Sequence, residues 1–393
     1  MKFLNLASRA LRVLGRVQSL RLTALRSKFV LFDDVYLEEI QSLLGDQRAL
    51  TVFDPRFRDI YLFELLSGIV RWAFSDKTIG LTHYYFLAFL QASRPQAVVT
   101  AVDNNAFFYS ARKTLAEKDI RFIVFQNGTR WTEDVVEAGT MKRIDTFFTI
   151  TSAYQSAWEE RAFPATLHAI GTLGSKFAFE YKGIRPSDAL TPCRAGFVSS
   201  WAQNLTFSNW EVKKLEGPTV SAQTFFSPEI RHLPTVRDCL LELGYALEII
   251  GASAESPNSE RDFYTQILGH HGWRFLPRKA LARNYRLLSR FGIVIGADST
   301  LAYEALATNC RVLFLDTKIG APFRLPFGYP DHVASHSSKI HLTDGQSENW
   351  KGMISSVLKM EEGEYRAIVK EVLGESVVAK TFEDVKNLFD NSL

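Results

Sequence analysis

Residues 290–316, RFGIVIGADSTLAYEALATNCRVLFLD, hold the densest set of chemically useful groups in this 393-residue chain. The run reads as strand, tight small-residue turn, helix and strand. Gly296 and Ala297 let the backbone approach a ligand, and Ser299 or Thr300 can cap the helix. The free amides and the helix dipole then offer positive charge to a phosphate. Glu304 falls about one turn into that helix, where a carboxylate can accept hydrogen bonds from ribose hydroxyls. Asp298 fits a phosphate poorly, because like charges repel, and is expected to face a sugar. Upstream, Arg278 or Lys279 can neutralise a diphosphate. Ser199 and Ser200 follow another apolar run and are further phosphate contacts. Each group also has a plain structural use, since every strand-to-helix turn needs small and capping residues.

A second set lies in the first half. Asp103-Asn104-Asn105 follows the apolar run 97–102, and Gln126-Asn127-Gly128-Thr129-Arg130 follows 121–125. Asp103 is the candidate general base, placed to take a proton from a hydroxyl nucleophile, although a strand-end Asp can equally cap the next helix. Asn127-Gly128 is a turn dipeptide, and Arg130 beside Trp131, the second candidate catalytic residue with Asp103, suits an anionic sugar or phosphate. Asn104, Asn127 and Gly128 complete this side, with Asp33, Asp34, Asp54 and Arg56 as weaker candidates. His270 and His271 are adjacent, point to different faces and make a poor metal pair, so no metal and no cofactor are expected. The chain has no GxGxxG after its first strand and no GxxxxGK[ST], which argues against a dehydrogenase or a P-loop enzyme.

The elements that must position these groups are short apolar runs ending in polar residues and alternating with helical stretches, the pattern of a parallel sheet. The runs read as strands at 29–32, 50–53, 97–102, 121–125 and 146–150, then at 195–198, 246–250, 274–276, 292–295 and 311–315, with a helix at 234–243. Ligands in such sheets collect outside the carboxyl ends of the strands, where the polar groups above lie. The chain exceeds the size at which one core stops growing. It is therefore expected to form two doubly wound domains, 29–182 and 195–345, joined by the polar linker 183–194, GIRPSDALTPCR. The tail, 346–393, reads as helices that can pack back across the boundary.

Cys193, Cys239 and Cys310 are far apart and lack metal or disulfide spacing, which fits a reducing compartment. No run of 18 apolar residues occurs, so the expectation is a protein in the cytoplasm, without a spanning helix. Residues 1–28 carry Lys2, Arg9, Arg12, Arg16, Arg21, Arg26 and Lys28 with no acid; the whole chain is +3, so the remainder is −4. Leu6, Ala10, Val13, Val17 and Leu20 recur at helical spacing, which describes a basic amphipathic arm suited to anionic lipid. A frayed tail or a transit peptide has the same composition. Nucleic acid is not expected, because basic and aromatic residues do not interleave in the globular part.

Taken in order, Phe32-Asp33-Asp34, Asp103-Asn104-Asn105, Gln126 to Arg130, and Asp298-Ser299-Thr300-Leu301-Ala302-Tyr303-Glu304-Ala305 resemble bacterial surface-carbohydrate (O-antigen) biosynthesis proteins over residues 29 to 345. More distantly, the Ser-Thr-x-x-x-Glu helix is similar to capsule-synthesis transferases and CDP-glycerol polymerases. The resemblance implies an α/β, GT-B-like fold, with two Rossmann-like domains facing a cleft. By analogy it also implies transfer of a sugar from a nucleotide-sugar donor, and the leading expectation is a metal-independent glycosyltransferase acting on a lipid-linked or growing glycan, peripheral on the inner face of the cytoplasmic membrane. Wider relatives carry His where this chain has Asn127, which makes Asp103 the more attractive base. A nucleotide-sugar epimerase and a non-catalytic glycan-binding or scaffold subunit are the alternatives.

Overall fold

The computed structural model describes residues 17–45, 49–75, 80–103, 105–116, 118–128, 144–160, 163–181, 193–201, 211–212, 220–221, 227–252, 256–278, 285, 287–288, 290–297, 299–308, 310–315, 339–342 and 348–393. Asn104, Arg130, Lys279, Asp298, the arm before residue 17 and most of the linker, 183–192, lie outside the described residues.

The first half runs β1 (Ser19–Arg21), β2 (Phe29–Phe32), α1 (Leu37–Leu44), β3 (Leu50–Phe53), β4 (Asp59–Tyr61), α2 (Leu62–Ala73), α3 (Leu81–Ser93), β5 (Ala97–Thr100), α4 (Ala106–Thr114), β6 (Arg121–Phe125), β7 (Thr146–Thr149), α5 (Ser152–Glu159), β8 (Thr166–Ala169) and α6 (Leu173–Lys176). Six of these strands form one parallel sheet in the order β3-β2-β5-β6-β7-β8. The central strands FVLF and AVVT are buried along their whole length, as expected for strands covered on both faces by helices.

The second half runs β9 (Arg194–Val198), β10 (Glu211–Val212), β11 (Val220–Ser221), α7 (Ser227–Glu242), β12 (Ala246–Ile250), α8 (Pro257–Leu268), β13 (Trp273–Leu276), β14 (Ile293–Gly296), α9 (Thr300–Ala307), β15 (Val312–Leu315) and β16 (His341–Leu342). Its sheet is also parallel and six-stranded, in the order β13-β12-β9-β14-β15-β16. Renumbered within the half this is 3-2-1-4-5-6, the order of a dinucleotide-binding sheet. β10 and β11 form a separate antiparallel pair.

The structure departs from the sequence expectations in three places. The helical spacing that reached Leu20 gives way to strand β1, which pairs parallel with β4 and whose Ser19 hydroxyl donates to Asp59 at 2.6 Å. Helix α7 begins at Ser227, seven residues before Pro234, and carries that proline in its interior. Strands β4, β8, β10, β11 and β16 are additional; each is two to four residues long, too short to stand out from loop.

The tail is helical: α10 (Trp350–Lys359), α11 (Glu362–Leu373), α12 (Glu375–Ala379) and α13 (Phe382–Asp390). Trp350, Ile354, Ile368 and Val372 pack into the second-half core. Phe382, Val385 and Phe389 of α13 instead join Phe29, Leu31, Leu43 and Phe125 of the first half. A capping box between Thr381 and Asp384 starts α13 where the chain crosses over. Phe389 is fully buried. Phe389→Ala is therefore expected to cost about 3–5 kcal/mol, and the exposed Val378→Ala less than about 0.5 kcal/mol, both read from denaturant midpoints.

Candidate functional site

In the second half the chain leaves β9 toward β12 and β13, then returns to place β14 on the other side of β9. The loops after β9 and β14 therefore part, and that crevice is where open α/β sheets collect ligands. Ser199, just after β9, is turned into the fold: its Oγ accepts from the Tyr264 hydroxyl at 2.8 Å and from the Trp201 amide at 3.1 Å. Ser200 differs, because its Oγ is buried and has no hydrogen-bond partner among the described residues. A buried hydroxyl left unpaired costs free energy, which a ligand can recover.

After β14, Gly296 has a packing use beside the ligand approach its sequence suggested. A Cβ there would lie 2.6 Å from the Ala302 Cβ, so the bare Cα lets α9 pack down on its own strand. Ser299 occupies the N-cap position of α9 without a side-chain cap bond, and Thr300 opens the helix. Arg278, after β13, donates to the Ala252 carbonyl at 2.6 Å and is tethered beside the same edge.

Glu304 is the centre of the arrangement. It is 3% exposed, and its Oε1 accepts from the Tyr285 hydroxyl at 2.8 Å and the Tyr36 hydroxyl at 3.4 Å. Burial pushes its carboxyl up to about 7, against hydrogen bonds from Tyr285, Thr172 and Tyr36 and the charge of Arg278. Burial, together with the Glu304 charge, also holds the Tyr36 and Tyr285 phenols well above their usual range, so both remain donors. Tyr36 and Thr172 follow β2 and β8 of the first half, whereas Glu304 follows β14 of the second. The carboxyl edges of the two sheets thus meet at one buried acid.

The first-half edge has its own crevice between β2 and β5, where the chain reverses from β3. Asp33 and Asp103 flank it. Asp33 is buried, holds a left-handed φ of 74° and is lifted to about 6 by burial and by its hydrogen bond with Asp34, against the charge of Arg56. Arg56 bridges Asp33 at 2.6 Å, contacts Asp34 and reaches Asp54 at 3.4 Å. Arg58 pairs with Asp54 at 2.8 Å and Asp34 at 2.7 Å. Burial opposes ionisation of Asp34 and Asp54, but it is outweighed for Asp34 by hydrogen bonds from Asp33 and Arg58 and the charges of Arg56 and Arg58, and for Asp54 by the Arg58 side chain and the Arg56 and Arg58 backbone amides, so both carboxyls lie below their ordinary range.

Asp103 is buried, and its carbonyl accepts from the Tyr109 hydroxyl at 2.6 Å. The cap of α4 falls to Asn105, whose Oδ1 accepts from the Phe107 amide at 2.9 Å and the Phe108 amide at 3.4 Å. The capping duty that competed for Asp103 is therefore met elsewhere. Gln126 steadies the next loop, donating to the Gly128 carbonyl at 2.8 Å and accepting from Ile150 at 3.2 Å. Asn127 is half-buried beside the buried Gly128. Among the described residues no group of three His, Cys, Asp or Glu could hold a metal ion.

Sequence reasoning missed Tyr36, Tyr285 and Thr172. Only the aromatic of Asp33-Asp34-Val35-Tyr36, directly after a strand, offered a signal. It ranked the Asp33 cluster low because spacing along the chain does not reveal that Arg56 and Arg58, from the following strand's loop, fold back onto it.

A family model described as "putative O-antigen biosynthesis protein" matches residues 123–375. No curated protein matches by sequence. Among solved structures, the S. aureus MnaA-UDP co-structure is similar with a TM-score of 0.55 and 11% identity, over 93% of this chain and 95% of that one. The Methanocaldococcus jannaschii UDP-GlcNAc 2-epimerase in complex with UDP-GlcNAc and UDP has a TM-score of 0.54 and 9% identity, over 95% and 99%. Sucrose-phosphate synthase from Thermosynechococcus elongatus has 0.52 and 11%, over 93% and 98%. These likenesses establish the fold as GT-B, an arrangement that glycosyltransferases and epimerases share.

A carboxyl raised by folding binds its proton more tightly in the native state than in the unfolded one, so its contribution to stability is lost as pH rises from its unfolded value of 4.5 toward about 7. Glu304→Gln, which cannot ionise, is expected to remove that part of the slope when melting temperature is measured from pH 5 to 8. An unchanged slope would show that Glu304 titrates normally.

Proposed function

This chain belongs to the O-antigen biosynthesis family whose model it matches, and we propose that it works there as a metal-independent glycosyltransferase. It transfers a sugar from a nucleotide-sugar donor to a lipid-linked or growing surface glycan. One observation carries the reading: Glu304, on the helix that begins at the second-half crevice, meets Tyr36, which follows the first-half crevice. Both ligand-collecting edges therefore open on one interface, where donor and acceptor can react away from water.

The donor diphosphate lies over the amides at the start of α9, with Ser200, Ser299, Thr300 and Arg278 as contacts and Asp298 turned to the sugar. Gly296 serves by bringing α9 close, and Glu304 accepts from the ribose when Tyr36 gives way. On the facing side Asp103 takes the proton of the acceptor hydroxyl as its oxygen bonds to the anomeric carbon. The bond from that carbon to the diphosphate breaks, and the nucleoside diphosphate leaves with the electron pair. Asn104, Asn127, Gly128 and Arg130 hold the acceptor. The reaction takes place at the inner face of the cytoplasmic membrane, with the basic arm, residues 1–28, on anionic lipid.

A nucleotide-sugar epimerase is the second reading, because epimerases stand among the similar folds. The experiment that separates them is a thermal-shift screen of UDP-, GDP-, CMP-, CDP- and dTDP-sugars, followed by incubation of the binding donor with and without glycan acceptor. At a hundredfold excess over Kd, binding adds about 2.7 kcal/mol, a rise of several degrees. No rise with any donor argues for a non-catalytic subunit, and isomerised donor without acceptor argues for the epimerase. Asp103→Asn is expected to slow transfer by about 10²–10⁴-fold at unchanged melting temperature. If it stays fully active while Asp33→Asn is dead, the base is Asp33.

A further inference from the structure

Helix α2 is built inside out. Its buried positions are Glu64 and Gly68, whereas Phe63, Leu66, Val70 and, just past its end, Phe74 are exposed, Phe74 by 90%. Positions 63, 66, 70 and 74 repeat at three and four residues and so lie in one stripe. The polar side is turned inward for identifiable reasons. Glu64 Oε1 accepts from the Thr23 hydroxyl at 2.6 Å and the Ala24 amide at 3.0 Å. Gly68 lets α2 press on α3, since a Cβ there would stand 2.7 Å from the Tyr85 backbone. With those two fixed, the apolar stripe has nowhere to point but out.

The strand β1 segment extends the stripe. The Phe63 amide donates to the Leu22 carbonyl at 3.0 Å, laying residues 19–25 beside the start of α2. Leu20, Leu22 and Leu25 are exposed there, Leu25 by 75%, next to a cavity of about 340 Å³. With Ile69, eight of the eleven exposed large hydrophobics among the described residues fall on this face. Apolar residues exposed singly are ordinary, but a contiguous set of this size marks an interaction surface.

The rim decides what covers it. Arg21, Arg26, Lys28 and Arg71 are exposed, and residues 17–28 and 62–75 hold no acid except the buried Glu64. The chain also enters here from residues 1–16, which carry Lys2, Arg9, Arg12 and Arg16 and no acid. A second copy packed on this face by two-fold symmetry would oppose one cationic rim to another. Residues 1–16 folded over it would add four more cations to the same rim. An anionic lipid surface meets both requirements at once, accepting the apolar ridge below its head groups and the cations among them.

We propose that this face, formed by α2 and residues 19–25, docks the protein on an anionic membrane surface. The docking holds whether or not the chain transfers sugar, because none of these residues belongs to the interface around Glu304. The test is sedimentation of the full chain with phosphatidylglycerol/phosphatidylethanolamine vesicles and with phosphatidylcholine vesicles. The protein is expected to pellet with the first and weakly with the second. The triple variant Leu66→Asn, Val70→Glu, Phe74→Glu alters only exposed side chains and is expected to lose about 30-fold in partition at unchanged melting temperature. Arg21→Glu with Arg26→Glu is expected to lose about 30-fold or more. Ridge-variant binding equal to wild type, or equal pelleting on the neutral vesicles, overturns the proposal. So does a wild-type dimer that the ridge variant converts to monomer. A ridge-variant melting loss seen in the full chain but absent when residues 1–16 are removed would assign the ridge to the chain's own arm, and also overturns it.

Discussion

A carboxyl buried between two sheets is the contact on which the rest of this architecture turns. Glu304 has no water to ionise into, so it is satisfied by hydroxyls and kept near neutrality by burial. The donors come from three places that sequence keeps far apart: Tyr36 after the first strand of one sheet, Thr172 after the last, and Tyr285 before β14 of the other. An apolar residue there would fill space but fix no register. A single acceptor shared by donors from both halves requires their carboxyl edges to face each other. In the proposed reaction the same group would have to exchange a tyrosine for a ribose hydroxyl, because its Oε1 already accepts from Tyr36 and Tyr285.

Much of the fold was legible because parallel strands are buried on both faces. Phe29–Phe32, Ala97–Thr100 and Val312–Leu315 are apolar at every position or nearly so, a signal that survives without any knowledge of partners. The strand-turn-helix at 293–307 was legible for a related reason, since Gly296 and the small residues after it suit a tight turn and little else. Short edge strands such as β8 and β16 gave no such signal. The first-half acids were visible as letters, but their order of importance was not. Asp33 is raised by burial and by its neighbour Asp34, whereas in Asp54 burial is outweighed by the Arg58 side chain and by the backbone amides of Arg56 and Arg58, none of which spacing along the chain reveals.

Helix α2 marks the opposite limit. Periodicity locates an apolar stripe and assumes that it faces the core. Here Glu64 and Gly68 claim the inward side, the one by hydrogen bonds to residues 23 and 24 and the other by close backbone contact with α3. The rotation of this helix about its own axis is set by two residues that look like blemishes in an apolar pattern.

The last helix has a mechanical meaning as well. The backbone passes from the first half to the second ahead of β9, and passes back at Lys380–Thr381 to seat α13 among the first-half core residues. Lys176, on the first half, grips the carbonyls of Val377 and Lys380 at that return. The tail therefore works as a strap: pulling the second half away from the first would also have to bare Phe382, Val385 and Phe389, whose burial adds to whatever the contacts around Glu304 contribute.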